Sequence, residues 1–230
     1  MKKIGFIGVY DKTDMILYLA KILTVMGKNV ILVDSTINQK AKYIVPTINP
    51  TISYITSFED IDVAVGFKNF DEIKRYVGTT AELPYDIALI DADVPERIKE
   101  FGLSNAEKNY FVTSFDMYSL KKGVELLNNL EETLNLTKIY FSREMLKEDD
   151  DYLNFLSSNC NIEWNEERIY FPLENGDFAV ITENQRIEKI KFKKLSVQYK
   201  DCLELLSQEI CEDCKDSEVR KAIKIIEKGA

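Results

Sequence analysis

The apolar residues fall into short blocks that stop at glycine or aspartate. Residues 3–8 form the first block, closing at Gly8, and Asn29–Val33 (NVILV) forms another, closing at Asp34. Between them Met15–Met26 is apolar almost throughout, broken by Lys21 and Thr24 and stopped at Gly27. Such runs predict a buried strand, a loop, a buried helix with a glycine cap and a second buried strand, which is a βαβ unit with parallel pairing over residues 1–34. The pattern then loosens. Pro46 and Pro50 bracket a loop, and Ile52–Ile55 and Ile61–Val65 read as strands, paired or separate.

Helical spacing returns at Phe70–Val77, and Tyr85–Asp91 is a strand carrying Asp86 and Asp91 near its ends. Two strand-helix pairs follow, Tyr110–Thr113 with Met117–Leu130 and Lys138–Phe141 with Met145–Leu156. From Ile162 to Phe192 the sequence reads as short β-like pieces, Arg168–Phe171 and Phe178–Ile181, around a turn at Glu174–Asp177. Leu195–Cys211 and Ser217–Lys228 are amphipathic helices. The alternation predicts an α/β, doubly wound fold with a mostly parallel sheet and helices on both faces. Residues 1–211 are expected to form one domain and 212–230 a short helical tail.

Composition narrows the function classes. With 45% hydrophobic and 30% charged residues the 230-residue chain is globular rather than disordered. A net charge of −9 disfavours unspecific nucleic-acid binding. The basic run from Arg186 through Lys189, Lys191, Lys193 and Lys194 to Lys200 reads as a solvated face. The N-terminus lacks a signal-peptide pattern and no apolar run reaches membrane-spanning length, so a cytoplasmic protein is expected. Absence of histidine excludes Ser-His-Asp, Cys-His and HExxH chemistry. Cys160, Cys202, Cys211 and Cys214 are expected as reduced thiols. Cys211 and Cys214 form a C-x-x-C spacing that, with Cys202 or with a second chain, has the makings of a thiolate metal site, although ordinary cysteines are the preferred reading.

The segment Gly8-Val9-Tyr10-Asp11-Lys12-Thr13 joins the first strand to the first helix, the place where a phosphate-binding loop works. It resembles the deviant Walker A loop, KGGxGK[ST], of the ParA/MinD-like ATPases. Lys12 and Thr13 match that motif's last two residues and Gly8 its first glycine, whereas Ile7 replaces its signature lysine and Val9 and Asp11 replace glycines. The similarity continues through GKNVILVDS at 27–35, YDIALIDAD at 85–93, residues 110–127 and residues 169–185 with the following helix. It implies that Asp91 is the Walker B acid, holding Mg²⁺ through water, and that Asp34 matches an acid ending the second strand. Thr36 stands where the family has a further acid. Without the resemblance, Lys12 and Thr13 merely open a helix, and Asp34, Asp86 and Asp91 cap loops.

The expected nucleotide-site residues are therefore Gly8, Lys12, Thr13, Asp34 and Asp91, with no cofactor or weakly held ATP or ADP with Mg²⁺. Asp11 places negative charge where polyphosphate would lie, which argues against hydrolysis. The implied role is a positioning or scaffold component, a homodimer with a protein partner, for which loop-degenerate members such as the CpaE/TadZ group are the nearest analogy. The alternative is an ATP-driven dimerisation switch. The family's basic amphipathic C-terminal helix also makes residues 217–228 a candidate for peripheral membrane contact, the alternative being that this short segment, without Trp or Phe, packs on the domain or a partner.

Overall fold

The computed structural model describes residues 1–47, 52–142, 147–172 and 174–229. Pro50 and Met145, parts of the expected loop and helix above, lie outside them. An eight-stranded sheet runs in the order β3-β4-β2-β5-β1-β6-β7-β8. Its strands are β1 (Lys2–Ile7), β2 (Val30–Asp34), β3 (Tyr54–Phe58), β4 (Ile61–Val65), β5 (Ile87–Ala92), β6 (Lys108–Ser114), β7 (Leu134–Ser142) and β8 (Ile162–Pro172). All neighbours pair in parallel except β3 and β4, a hairpin whose turn residues Glu59 and Asp60 take φ of 54° and 65°.

The period of two along each strand divides the core into two layers. Val30 and Leu32 of β2 and Ile87 and Leu89 of β5 face one layer, while Ile31, Val33, Ala88 and Ile90 face the other. The first layer is covered by α1 (Thr13–Val25), α8 (Val197–Ile210) and α9 (Asp216–Lys228). The second is covered by α3 (Phe70–Val77), α4 (Pro95–Glu100), α5 (Met117–Asn128) and α6 (Lys147–Leu156). Helix α1 is buried nearly all round because it is sandwiched between sheet and helices. Its one buried cation, Lys21, reaches Glu59 at 3.0 Å and so ties the β3–β4 turn to the helix. On the other face Asp150 of α6 accepts from Lys138 at 2.9 Å and Tyr140 at 2.6 Å, fixing α6 to β7.

The stretch 162–192 differs from its expected form. It is one long edge strand, β8, followed by α7 (Asn175–Arg186), so Phe178–Ile181 is helical. Asp177, Val180 and Asn184 are its buried positions, a helical spacing concealed because two of the three are polar. They are inside because they are partnered. Asp177 accepts from the Ser196 amide and hydroxyl at 2.6 Å each, and Asn184 donates to Tyr18 and to the Lys191 carbonyl.

One further expectation is corrected. Cys211 and Cys214 are joined as a disulfide where α8 ends; their Cα atoms lie 5.4 Å apart, within bonding reach, because the chain turns tightly there. Cys160 and Cys202 are free thiols. The apolar stripe of α9 packs on the domain: Val219, Ala222, Ile223 and Ile226 are buried against α1 and α8. No helix among the described residues is long and apolar enough to cross a membrane. Ile223→Ala is expected to lower the unfolding free energy by ~2–4 kcal/mol in urea titration, as for a core aliphatic truncation. An undocked helix would leave the midpoint unmoved.

Candidate functional site

Pairing in the sheet decides which residues meet. β5 lies between β1 and β2, and Asp91 is in register with Phe6 on one side and Asp34 on the other. The chain leaves β1 at Gly8, whose φ is +134° and where a Cβ would lie 2.3 Å from the Val112 carbonyl oxygen of β6. Only glycine fits so close to a neighbouring backbone. The Gly8 amide donates to the Ala92 carbonyl at 3.1 Å.

Lys12 ends the loop as the residue preceding α1, and its ammonium turns back under the loop. It donates to the Gly8 carbonyl at 2.7 Å and lies 2.6 Å from Asp91 Oδ1, with both side chains 2% exposed. The approach is off line for a hydrogen bond, so Asp91 Oδ1 has proximity to a cation but no well-directed donor. Burial pushes the Asp91 carboxyl up to about 7 against the pull of Lys12, with repulsion from Asp34 and Asp93 adding to the rise.

Asp34 is wholly buried and engaged elsewhere. It accepts from the Thr36 hydroxyl at 2.6 Å, the Thr36 amide at 3.1 Å and the Ala41 amide at 2.9 Å, and thereby starts the short helix α2 (Ala41–Ile44). Asp93 accepts from the Ile37 amide at 3.0 Å, and burial keeps its carboxyl above the usual range. Asp86, by contrast, holds the Asn29 amide at 2.8 Å at the other end of β5. The structure thus brings Gly8, Lys12, Thr13, Asp34 and Asp91 to one end of the sheet, at the point where the strand order reverses about β1.

The upper side of the loop is organised by Asp11 together with residues that sequence reasoning missed, Asp14, Lys40 and Gln185. Asp11 Oδ1 accepts the Thr13 amide at 3.2 Å, the donor at the start of α1 that an anion would use. Its other oxygen pairs with Lys40 at 2.5 Å, and Lys40 also pairs with Asp14 at 2.7 Å. Burial pulls the Lys40 ammonium down, but Asp14 and Asp11 outweigh it and the net shift is upward. Gln185 of α7 donates to Asp14 at 2.8 Å, so α7 closes over the start of α1. Lys40 and Gln185 lie 26 and 171 residues from Asp14, and no local periodicity could announce them.

A Mg²⁺ polyphosphate requires free amides, a free ammonium and a hydroxyl beside the metal. Here the Gly8 and Thr13 amides and the Lys12 ammonium are engaged within the protein, and α1 carries carboxylates at its positive end. In this arrangement those three donors are not free for a phosphate. A cleft of about 270 Å³ nevertheless opens on the loop, walled also by Thr36, Lys40, Asp91 and Asp93.

The fold is that of the ParA/MinD P-loop ATPases, in the α/β class with a mostly parallel sheet. The MinD cell division protein of Aquifex aeolicus is similar with a TM-score of 0.54 and 13% identity, covering 94% of this chain and 99% of its own. The MinD cell division ATPase of Pyrococcus furiosus gives 0.53 and 15%, covering 93% and 99%. A plasmid partition protein of Borrelia burgdorferi, solved with AMPPNP bound, gives 0.52 and 13%, covering 91% and 100%. At such identities the likeness establishes the fold. No family model and no curated protein sequence matches the chain.

The Asp91 environment has a pH signature. The carboxyl ionises at an ordinary value of 3.8 when unfolded and at about 7 when folded, so between these the folded state holds more protons. Its stabilising contribution is complete below about pH 4 and is lost as pH rises towards 7. Asp91→Asn removes that titration. In urea titrations the stability of the variant relative to wild type is expected to rise across this interval; a difference independent of pH would show that Asp91 ionises normally.

Proposed function

We propose that this protein is a ParA/MinD-type component that positions or scaffolds a partner, through dimerisation, without turning over nucleotide. The observation that supports this reading is that the protein's own groups engage two of the donors a phosphate would use: Asp11 holds the Thr13 amide, and Lys12 pairs with Asp91. Hydrolysis depends on donors aimed at developing charge, and here those donors point elsewhere. Partition and cell division, the processes of the similar proteins, supply the class of work in which a positioning component would serve.

A second reading has its own support. Lys12, Thr13 and Asp91 still converge at one strand edge, and the Borrelia protein of this fold holds AMPPNP. In an ATP-dependent dimerisation switch, Lys12 would exchange Asp91 for a phosphate when nucleotide arrives.

Titration calorimetry with ATP and ADP, with and without Mg²⁺, on wild type and Lys12→Ala separates the two, with sedimentation on the same samples. The proposal expects no binding heat up to about 1 mM ATP and a dimer that forms without nucleotide. Asp11→Gly, which frees the Thr13 amide, is expected to gain weak binding. Magnesium-dependent binding by wild type that is lost in Lys12→Ala, with a dimer seen only with ATP, would overturn the proposal.

A further inference from the structure

Beside the loop lies a second, larger cleft of about 440 Å³, within the range of small-molecule sites. Its walls are aromatic. Tyr10 stacks on Phe141 at 4.9 Å between ring centroids, Tyr199 forms part of the lining, and Phe178 stands at the margin with 75% of its surface exposed.

The polar groups facing these rings are mostly acids. Among the described residues Asp11, Asp14, Glu174 and Asp177 line the cleft with one cation, Lys40, which Asp11 and Asp14 share, while Asp177 accepts from Ser196. Glu174 makes no ion pair among the described residues. The negative field extends into the walls: burial raises the phenols of Tyr199 and Tyr10, and Asp14 and Asp177 raise the first further while Asp11 and Asp116 raise the second. Phosphate groups would meet these carboxylates at close range and be repelled. Aromatic faces combined with carboxylates favour the opposite charge, through ring quadrupoles and charge-assisted hydrogen bonds.

We propose that this cleft binds an organic cation, an alkyl guanidinium or ammonium group on an apolar stem, supplied by a free amine or by a basic side chain of a partner protein. The stem lies along Tyr10, Phe141 and Phe178 and the charged head reaches Asp14 and Glu174. Lys40 and Gln185 already engage both oxygens of Asp14 and hold its carboxylate in one orientation, so the incoming head shares it with Lys40, while Glu174 has no ion pair among the described residues. This inference goes beyond the scaffold reading, and its outcome is independent of whether ATP binds at the loop.

The test is calorimetric titration of the full chain with agmatine, with adenosine, and with a blocked Gly-Arg-Gly peptide, each up to about 10 mM. Saturable, salt-sensitive agmatine binding is expected. It should weaken about tenfold or more in Asp14→Asn, as for loss of a hydrogen bond to a charged group. Phe178→Ala, whose exposed side chain has little part in folding, should weaken it too. Tighter binding of the peptide than of agmatine points to a protein partner, and the reverse order to a free amine; both support a cation site. Absence of binding by both cations, binding unchanged in both variants, or binding of adenosine alone overturns it, the last showing a site for a neutral base.

Discussion

A lysine and an aspartate, each about 2% exposed and 2.6 Å apart, are costly to bury and costlier to separate. Removing one partner of such a pair strands a charge in the interior and costs about 3–5 kcal/mol. Lys12 and Asp91 therefore clamp the end of β5 to the turn that leaves β1, and Gly8 must sit where its carbonyl meets the same ammonium. The clamp also dictates how neighbouring acids are satisfied. Asp34 and Asp93 share the sheet edge with Asp91, but Lys12 is already engaged, so they draw on the amides of Thr36, Ala41 and Ile37. The segment from Ser35 to Ala41 is folded around carboxylates that had to find donors.

The same economy governs the helical layer. Helix α1 accommodates Lys21 only because the hairpin turn presents Glu59, and it accommodates Tyr18 because Asn184 reaches it from α7. Asp177 and Ser196 tie α7 to the start of α8, whose Ser196 hydroxyl in turn accepts from the Tyr199 amide. Polar groups join the elements that close over the loop, and apolar packing supplies their adhesion.

Much of the sheet was legible because buried parallel strands are written as unbroken apolar runs: NVILV and the apolar run of 87–90 admit little else. The β3–β4 pair was half legible, since its turn is made by Glu59 and Asp60 in a conformation that glycine or asparagine would have advertised. Helix α7 was read as strand because its inward positions, Asp177 and Asn184, are polar and owe their burial to partners far along the chain. At the site, the residue types from Gly8 to Thr13 were visible together with their departures from the motif. The direction in which Lys12 points was not, because it follows from Asp91 arriving through strand pairing. Lys40, Asp14 and Gln185 come together only in three dimensions, and nothing in the segments that carry them signals the meeting.

Asp11 gives the loop an anion that cannot diffuse away. A phosphate from solution competes by concentration, whereas a carboxylate two residues from its amide competes at the high effective concentration of a short tether. Lys40 raises the barrier to exchange by holding the other oxygen of that carboxylate. A loop supplied in this way has a carboxylate at the amide that opens α1 from the moment the chain folds, and any incoming anion has to displace a group that is already tethered there.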